Sequence, residues 1–212
     1  MRVWDAPVRL VHWLLVLLVA FSYVAARKGW MQLHFFSGYS ILSLLLFRLV
    51  WGFVGSDTAR FSRFLVTPIA GLRHLAHFNR REPDNQIGHN AAGGWMVLVM
   101  LALLFTQAIT GLFATDDISA NGPFSETIGV DASERVTTLH DYNFDLILVA
   151  IGLHVLAILL YAVVKRHDLV RPMITGKKRL PAATRPPRMA SPVLAVLVFL
   201  SAVGLVALVA TR

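Results

Sequence analysis

Two histidines stand fourteen residues apart, at His140 and His154, on the apolar segment LHDYNFDLILVAIGLHVLAILLYAVV. On an α-helix, fourteen steps of about 100° return to within about 40° of the start while the rise is about 21 Å. Both rings therefore face one side, at two depths. Imidazole in hydrocarbon is unfavourable unless it is hydrogen-bonded or bound to something, so an intramembrane histidine pair marks a functional site. Two rings at matched azimuth describe two stacked binding levels. No Ser-His-Asp set or paired carboxylates compete as a catalytic centre, and GHNAAGGW does not match the G-x-G-x-x-G dinucleotide pattern.

The elements that position these rings are membrane spans. The chain has 212 residues, of which 56% are hydrophobic and 15% charged, with a mean hydropathy of +0.63. Its apolar residues come in long blocks rather than amphipathic stripes. A spanning helix needs roughly 20 mostly apolar residues, and residues 8–26, 31–54, 91–114, 139–164 and 192–210 qualify. The expected fold is all-α: an integral membrane helical bundle of five transmembrane helices. Arg2 and Arg9 ahead of an apolar run ending in Ala25 and Ala26 imitate a signal peptide, but the length of the run and its internal His12-Trp13 indicate a retained span.

The net charge of +8 sits where topology would put it. Arg60, Arg63, Arg73, Arg80 and Arg81 lie between the second and third spans. Lys165, Arg166, Arg171, Lys177, Lys178, Arg179, Arg185 and Arg188 follow the fourth. These loops are expected to be cytoplasmic. The loop between the third and fourth spans carries Asp116, Asp117, Glu126, Asp131 and Glu134 against Arg135, and is expected outside. Arg27 and Lys28 run against the trend in a short connection. The N-terminus is then inside and the C-terminus outside. Because the bases flank spans, anionic lipid rather than nucleic acid is their expected contact.

With this topology the histidines sort into an outer pair, His34 with His140, and an inner pair, His12 with His154. Each pair comes from two helices, the arrangement that clamps a flat macrocycle. Bis-imidazole ligation suits an iron porphyrin used for electron transfer, and two centres in adjacent layers make a path across the bilayer. The chain has no cysteine, which removes covalent c-type haem, iron-sulfur clusters and most structural zinc sites. Any haem is then non-covalent, hence b-type. Arg48 is fourteen residues beyond His34, in the inner layer, where a guanidinium would either meet a haem propionate or snorkel to the headgroups near Trp51. Gly38, one turn after His34, either lets a ring approach the backbone or serves helix packing.

The segments VWDAPVRLVHW, LHFFSGYSILSLLLFRLVWGFVG and IGHNAAGGW, with the His140 to His154 spacing, resemble the bacterial cytochrome b561 and nickel-iron hydrogenase cytochrome b superfamily over the first 176 residues. The resemblance implies a four-helix di-haem core in which His12, His34, His140 and His154 are the axial ligands of two haem b irons, with no catalytic residues of its own. It implies a multi-pass protein of the bacterial inner membrane that carries electrons between the quinone pool and a redox partner, a periplasmic cytochrome c or a hydrogenase-like enzyme. The departure is the fifth span, so the expected division is a haem-binding domain at 1–176, a basic Pro-rich cytoplasmic linker at 177–190 and an additional C-terminal helix at 191–212, read as an anchor. Two alternatives are a superoxide:quinone oxidoreductase of the same superfamily, against which the acidic outer loop counts, and a histidine-lined metal or proton transporter without haem, which would want intramembrane carboxylates and an inverted repeat.

The other candidates carry smaller expectations. His89 stands at the inner mouth of the third span, as a cap or interface residue, or together with Arg48 as the best region for a quinone. His74 and His77, on a short amphipathic helix, and His167 are expected at the membrane interface. Trp4, Trp13, Trp30, Trp51 and Trp95 flank span ends as an aromatic belt. Asp141 and Asp145 are expected to suit the positive end of the fourth helix.

Overall fold

A computed structural model describes residues 1–77, 83–116 and 120–211. Arg80, Arg81 and Asp117, used above in the charge argument, lie outside the described residues. Among the described residues five helices are long and apolar enough to cross a membrane: α1 (Ala6–Arg27), α2 (Met31–Val54), α5 (Ala91–Phe113), α7 (Val130–Leu160) and α9 (Pro192–Ala210). Short helices connect them: α3 (Phe61–Phe64) and α4 (Pro68–Ala76) after α2, α6 (Ser125–Ile128) before α7, and α8 (Val170–Thr175) after it. α7 runs on into a π-helical turn, Tyr161–Lys165, which ends at Arg166 in the left-handed region at φ 58°.

The spans begin where the sequence supplies caps. Asp5 Oδ1 accepts the Val8 amide at 2.8 Å with proline in the first turn of α1; Asn90 Oδ1 accepts the Gly93 amide at 2.7 Å at α5; Ser191 Oγ accepts the Val193 amide at 3.2 Å at α9. α1 turns back into α2 through Gly29, whose φ of +71° favours glycine. α2 is the most buried span and packs against α1, α5 and α9. α7 packs along α5 but not closely along α1 or α2, so the α1–α2 and α5–α7 pairs meet mainly along α2 and α5.

The end of the bundle that carries the N-terminus, called proximal below, is tied by polar contacts. Trp51 Nε1 donates to Asp5 Oδ2 at 2.9 Å, so one carboxylate caps α1 and holds the end of α2. Thr58 Oγ1 donates to the Val3 carbonyl at 2.7 Å, and the Val3 amide to the Gly176 carbonyl at 2.8 Å. Gly52 admits the Phe61 ring, because a Cβ there would lie 2.0 Å from Phe61 Cε2. The 177–190 segment is docked rather than free at its end. The Arg188 amide donates to Asp57 Oδ2 at 3.0 Å and the Ala190 amide to Ser56 Oγ at 2.9 Å. From there α9 lies on α2, with Phe199 edge-on to Phe47 at 6.2 Å and Ala195 and Ala202 buried in the same core as Trp51.

Three expectations are corrected. The fourth helix starts at Val130, nine residues before the apolar run, because polar residues continue it beyond the hydrocarbon. Asp131 is therefore the acid of its first turn, and Asp141 and Asp145 lie in its interior, away from the positive end. Trp51 at 0% exposure and Trp4 at 8% belong to the core rather than an aromatic belt, since Asp5 satisfies the Trp51 indole; Trp13 and Trp30 are the exposed pair.

Asp5→Ala removes a cap and leaves a buried indole N–H unpaired. We expect a loss of about 2–3 kcal/mol, read as a lowered midpoint in helix-detected thermal unfolding, with Asp5→Asn intermediate.

Candidate bis-histidine site

At the distal level, His34 opens α2 and His140 stands on α7, with ring centres 6.2 Å apart and planes inclined at 78°. Both rings are held through Nδ1. His34 Nδ1 lies 3.0 Å from both Ser22 Oγ and the Ser22 carbonyl on α1, and His140 Nδ1 lies 3.1 Å from Thr110 Oγ1 on α5. A proton on His34 Nδ1, donated to the Ser22 carbonyl, leaves Nε2 with a free lone pair, the tautomer a metal ligand needs. Gly111 makes room for the second ring: a Cβ there would come within 3.1 Å of His140 Cε1. On the other side, a Cβ at Gly38 would meet nothing within 4 Å, so helix packing does not require that glycine. Ser22, Thr110 and Gly111 were not singled out from sequence; their only mark there is being small or polar within apolar spans.

At the proximal level, His12 on α1 and His154 on α7 have ring centres 6.4 Å apart, inclined at 53°. An imidazole nitrogen binds a first-row metal at roughly 2 Å and lies about 1.2 Å from its ring centre, so two opposed ligands on one metal atom put their ring centres about 6.4 Å apart. Both pairs have this spacing. Among the described residues no group of three or more His, Cys, Asp or Glu side chains forms a metal cluster. Two imidazoles at this spacing, with no third donor among the described residues, suit a metal that arrives with ligands of its own.

Among the described residues three buried side-chain nitrogens lack a hydrogen-bond partner, His12 Nδ1, Arg48 Nη1 and His89 Nδ1, and all belong to the proximal side. Arg48 is 6% exposed, and its guanidinium carbon lies 5.1 Å from the Phe61 ring centre. That burial rules out snorkelling to the headgroups. His89 sits between Trp4 and Phe64, at ring distances of 4.7 and 4.6 Å. Burial, and next the positive charge of Arg48, push its imidazole down to about 3. It is not the α5 cap, since Asn90 performs that function. Buried polar atoms without a hydrogen-bond partner are rare enough in folded proteins to call for a ligand, and a carboxylate suits the Arg48 donors best.

His74 and His167 depart from a purely interfacial placement. His74 Nε2 lies 2.7 Å from the Tyr161 hydroxyl, which also accepts from Asn90 Nδ2 at 2.8 Å, and the His167 ring is 6.4 Å from that of Tyr161. α4 is thereby fastened to the π turn of α7. His77 Nδ1 bonds back to the Arg73 carbonyl at 2.8 Å.

Residues 3–176 match the family described as prokaryotic cytochrome b561. The chain belongs to that family. Its members typically bind haem b, and this chain is a cytochrome b561-type, multi-pass membrane cytochrome. It is similar to proteins named probable Ni/Fe-hydrogenase B-type cytochrome subunit. That of Rhodobacter capsulatus is 26% identical over 214 residues, covering 83% of this chain and 80% of the relative. That of Rhizobium leguminosarum bv. viciae is 25% identical over 219 residues, covering 83% and 87%. No solved structure matches the chain. The family match ends at Gly176, whose carbonyl receives the Val3 amide, so its two limits meet in space.

A His89 held near 3 binds no proton in the folded cytochrome between pH 3 and its ordinary value of 6.5, whereas the unfolded chain does. Stability contributed at this site therefore falls as pH drops below 6.5 and is constant above it. His89→Gln is expected to flatten that part of the pH–stability curve, measured by thermal unfolding across the range.

Proposed function

We propose that this cytochrome moves electrons across the membrane through two non-covalent b haems, one ligated by His12 and His154 and the other by His34 and His140. The observation that carries the reading is the spacing of the two pairs, 6.4 and 6.2 Å between ring centres, each joining α7 to a helix it does not closely pack against. His12, His154, His34 and His140 would hold the haems, and haem iron held by two imidazoles would supply a reversible one-electron change rather than oxygen chemistry.

The chain's own residues set the conditions at each level. Ser22 and Thr110 orient the distal imidazoles and raise their basicity as ligands. Arg48 holds a propionate of the proximal group, with the His89 Nδ1 as a second donor at the same level. Apolar walls from α2 and α5 exclude water and lower the local dielectric, which strengthens the Arg48 interaction. The charge distribution supports a cytoplasmic proximal end, with the N-terminus inside and the C-terminus outside.

Electrons would pass between the quinone pool and a redox protein. The names of the relatives favour a hydrogenase-like partner over a periplasmic cytochrome c. We infer that the region around His89 and Arg48, at the proximal end, is the best site for a quinone. Among the described residues no third His, Cys, Asp or Glu joins either pair, which weighs against a bare-metal transporter.

The test is a pyridine haemochrome and reduced-minus-oxidised spectrum of the purified protein. About two b haems per chain in wild type and about one in His154→Ala are expected; haem-free, well-folded protein would overturn the reading. In Arg48→Gln, losing a buried positive charge should lower the midpoint potential of the proximal haem and leave the distal one in place, as followed by redox titration.

A further inference from the structure

Beyond the last turn of α7 lies a cleft of about 640 Å³ that the electron-transfer reading does not use. Its lining includes Arg166, Arg171, Lys177, Lys178 and Arg179. Two acids also line it, and both are engaged. Asp84 pairs with Lys178 at 2.6 Å, and Asp168 Oδ1 accepts the Val170 and Arg171 amides at 3.1 and 3.0 Å. Among the described residues Arg166, Arg171, Lys177 and Arg179 form no ion pair. Four unpaired cations around one concavity fit a phosphate-bearing anion, which offers oxygens for several of them at once.

The position of the cleft selects the source of that phosphate. Arg166 is the first residue past the apolar span that ends at Lys165, so the cleft opens where hydrocarbon gives way to headgroups. α8 is fixed at this depth because the Met173 carbonyl accepts from Trp13 Nε1 at 3.3 Å and the Ile174 carbonyl accepts from Arg9, both in the first turns of α1. Exposed apolar side chains stand close in sequence to these cations: Val163, three residues before Arg166, is 73% exposed and Ile174, three after Arg171, 57%. A free anion would leave them uncovered, whereas the acyl chains of a lipid would cover them.

We propose that this cleft binds the phosphate headgroup of an anionic glycerophospholipid, with Arg166, Arg171, Lys177 and Arg179 as its cationic contacts. The inference rests on the membrane placement of the helices and not on haem ligation. A bound lipid would join the end of α7 to α8 and, through Arg9 and Trp13, to α1, the two helices that carry the proximal histidines.

The experiment uses the full-length, delipidated protein in detergent. Native mass spectrometry and thermal unfolding are followed during titration with phosphatidylglycerol, phosphatidylcholine or inorganic phosphate. Retention of phosphatidylglycerol over phosphatidylcholine, with a raised unfolding midpoint that inorganic phosphate does not reproduce, is expected. A triple variant, Arg166→Gln with Arg171→Gln and Arg179→Gln, should keep its helical spectrum and lose affinity by about fivefold per base, on the order of a hundredfold in total. A control variant at the opposite end, Arg27→Gln with Lys28→Gln and Arg135→Gln, should bind as wild type. Equal retention of the two lipids, an equal loss in the control, or stabilisation by inorganic phosphate alone would each overturn the proposal, the last by assigning the cleft to a free anion.

Discussion

A polar ring inside a bilayer must be satisfied, and that constraint organises this cytochrome at two depths. α7 presents His140 and His154 with a rise of about 21 Å between them. The partners come from the other hairpin and must arrive at matching heights. His12 lies early in α1 and His34 early in α2, on either side of the turn at Gly29. Climbing α1 from His12 to its end and descending α2 to His34 gives a net height of about 18 Å. The agreement with the α7 spacing lets both pairs close at once. Shortening either α1 or the turn would break one pair and leave a buried imidazole without a partner.

The two levels are finished differently. At the distal level each Nδ1 is already engaged by Ser22 or Thr110, so the rings are oriented by the protein alone. At the proximal level His12, Arg48 and His89 keep buried nitrogens without a hydrogen-bond partner. The physical consequence is asymmetric. The distal pair is preorganised, while under the proposed function the proximal level would gain its polar satisfaction from its ligand, which would couple binding there more strongly to the surrounding packing.

That packing is concentrated at the proximal end, where separate parts of the chain converge on Asp5 and Trp51. The carboxylate caps α1 and receives the Trp51 indole; Val3 joins Gly176 and Thr58; Ser56 and Asp57 receive the segment that leads into α9. Phe61, admitted by Gly52, covers one face of Arg48. The fifth span is consequently part of the core around Trp51, and buttresses the helix that carries His34 and Arg48.

The all-helical membrane fold, the bounds of α2 and α9, and the two-level arrangement of the histidines were legible from sequence, because hydropathy over about 20 residues and the 3.6-residue period are local properties. The start of α7 was not, since a helix can outlast the hydrocarbon when polar residues continue it, and hydropathy reports only the bilayer. Whether Trp4 and Trp51 face lipid or core, whether Arg48 reaches headgroups or stays buried under Phe61, and that Ser22, Thr110 and Gly111 shape the distal pair depended on which helices become neighbours. Those contacts join residues far apart in the chain, such as Trp51 with Asp5. Composition and periodicity determine which residues enter the membrane and at what depth; only tertiary packing decides what each polar group meets there, because a hydrogen-bond partner is a property of two segments and not of one.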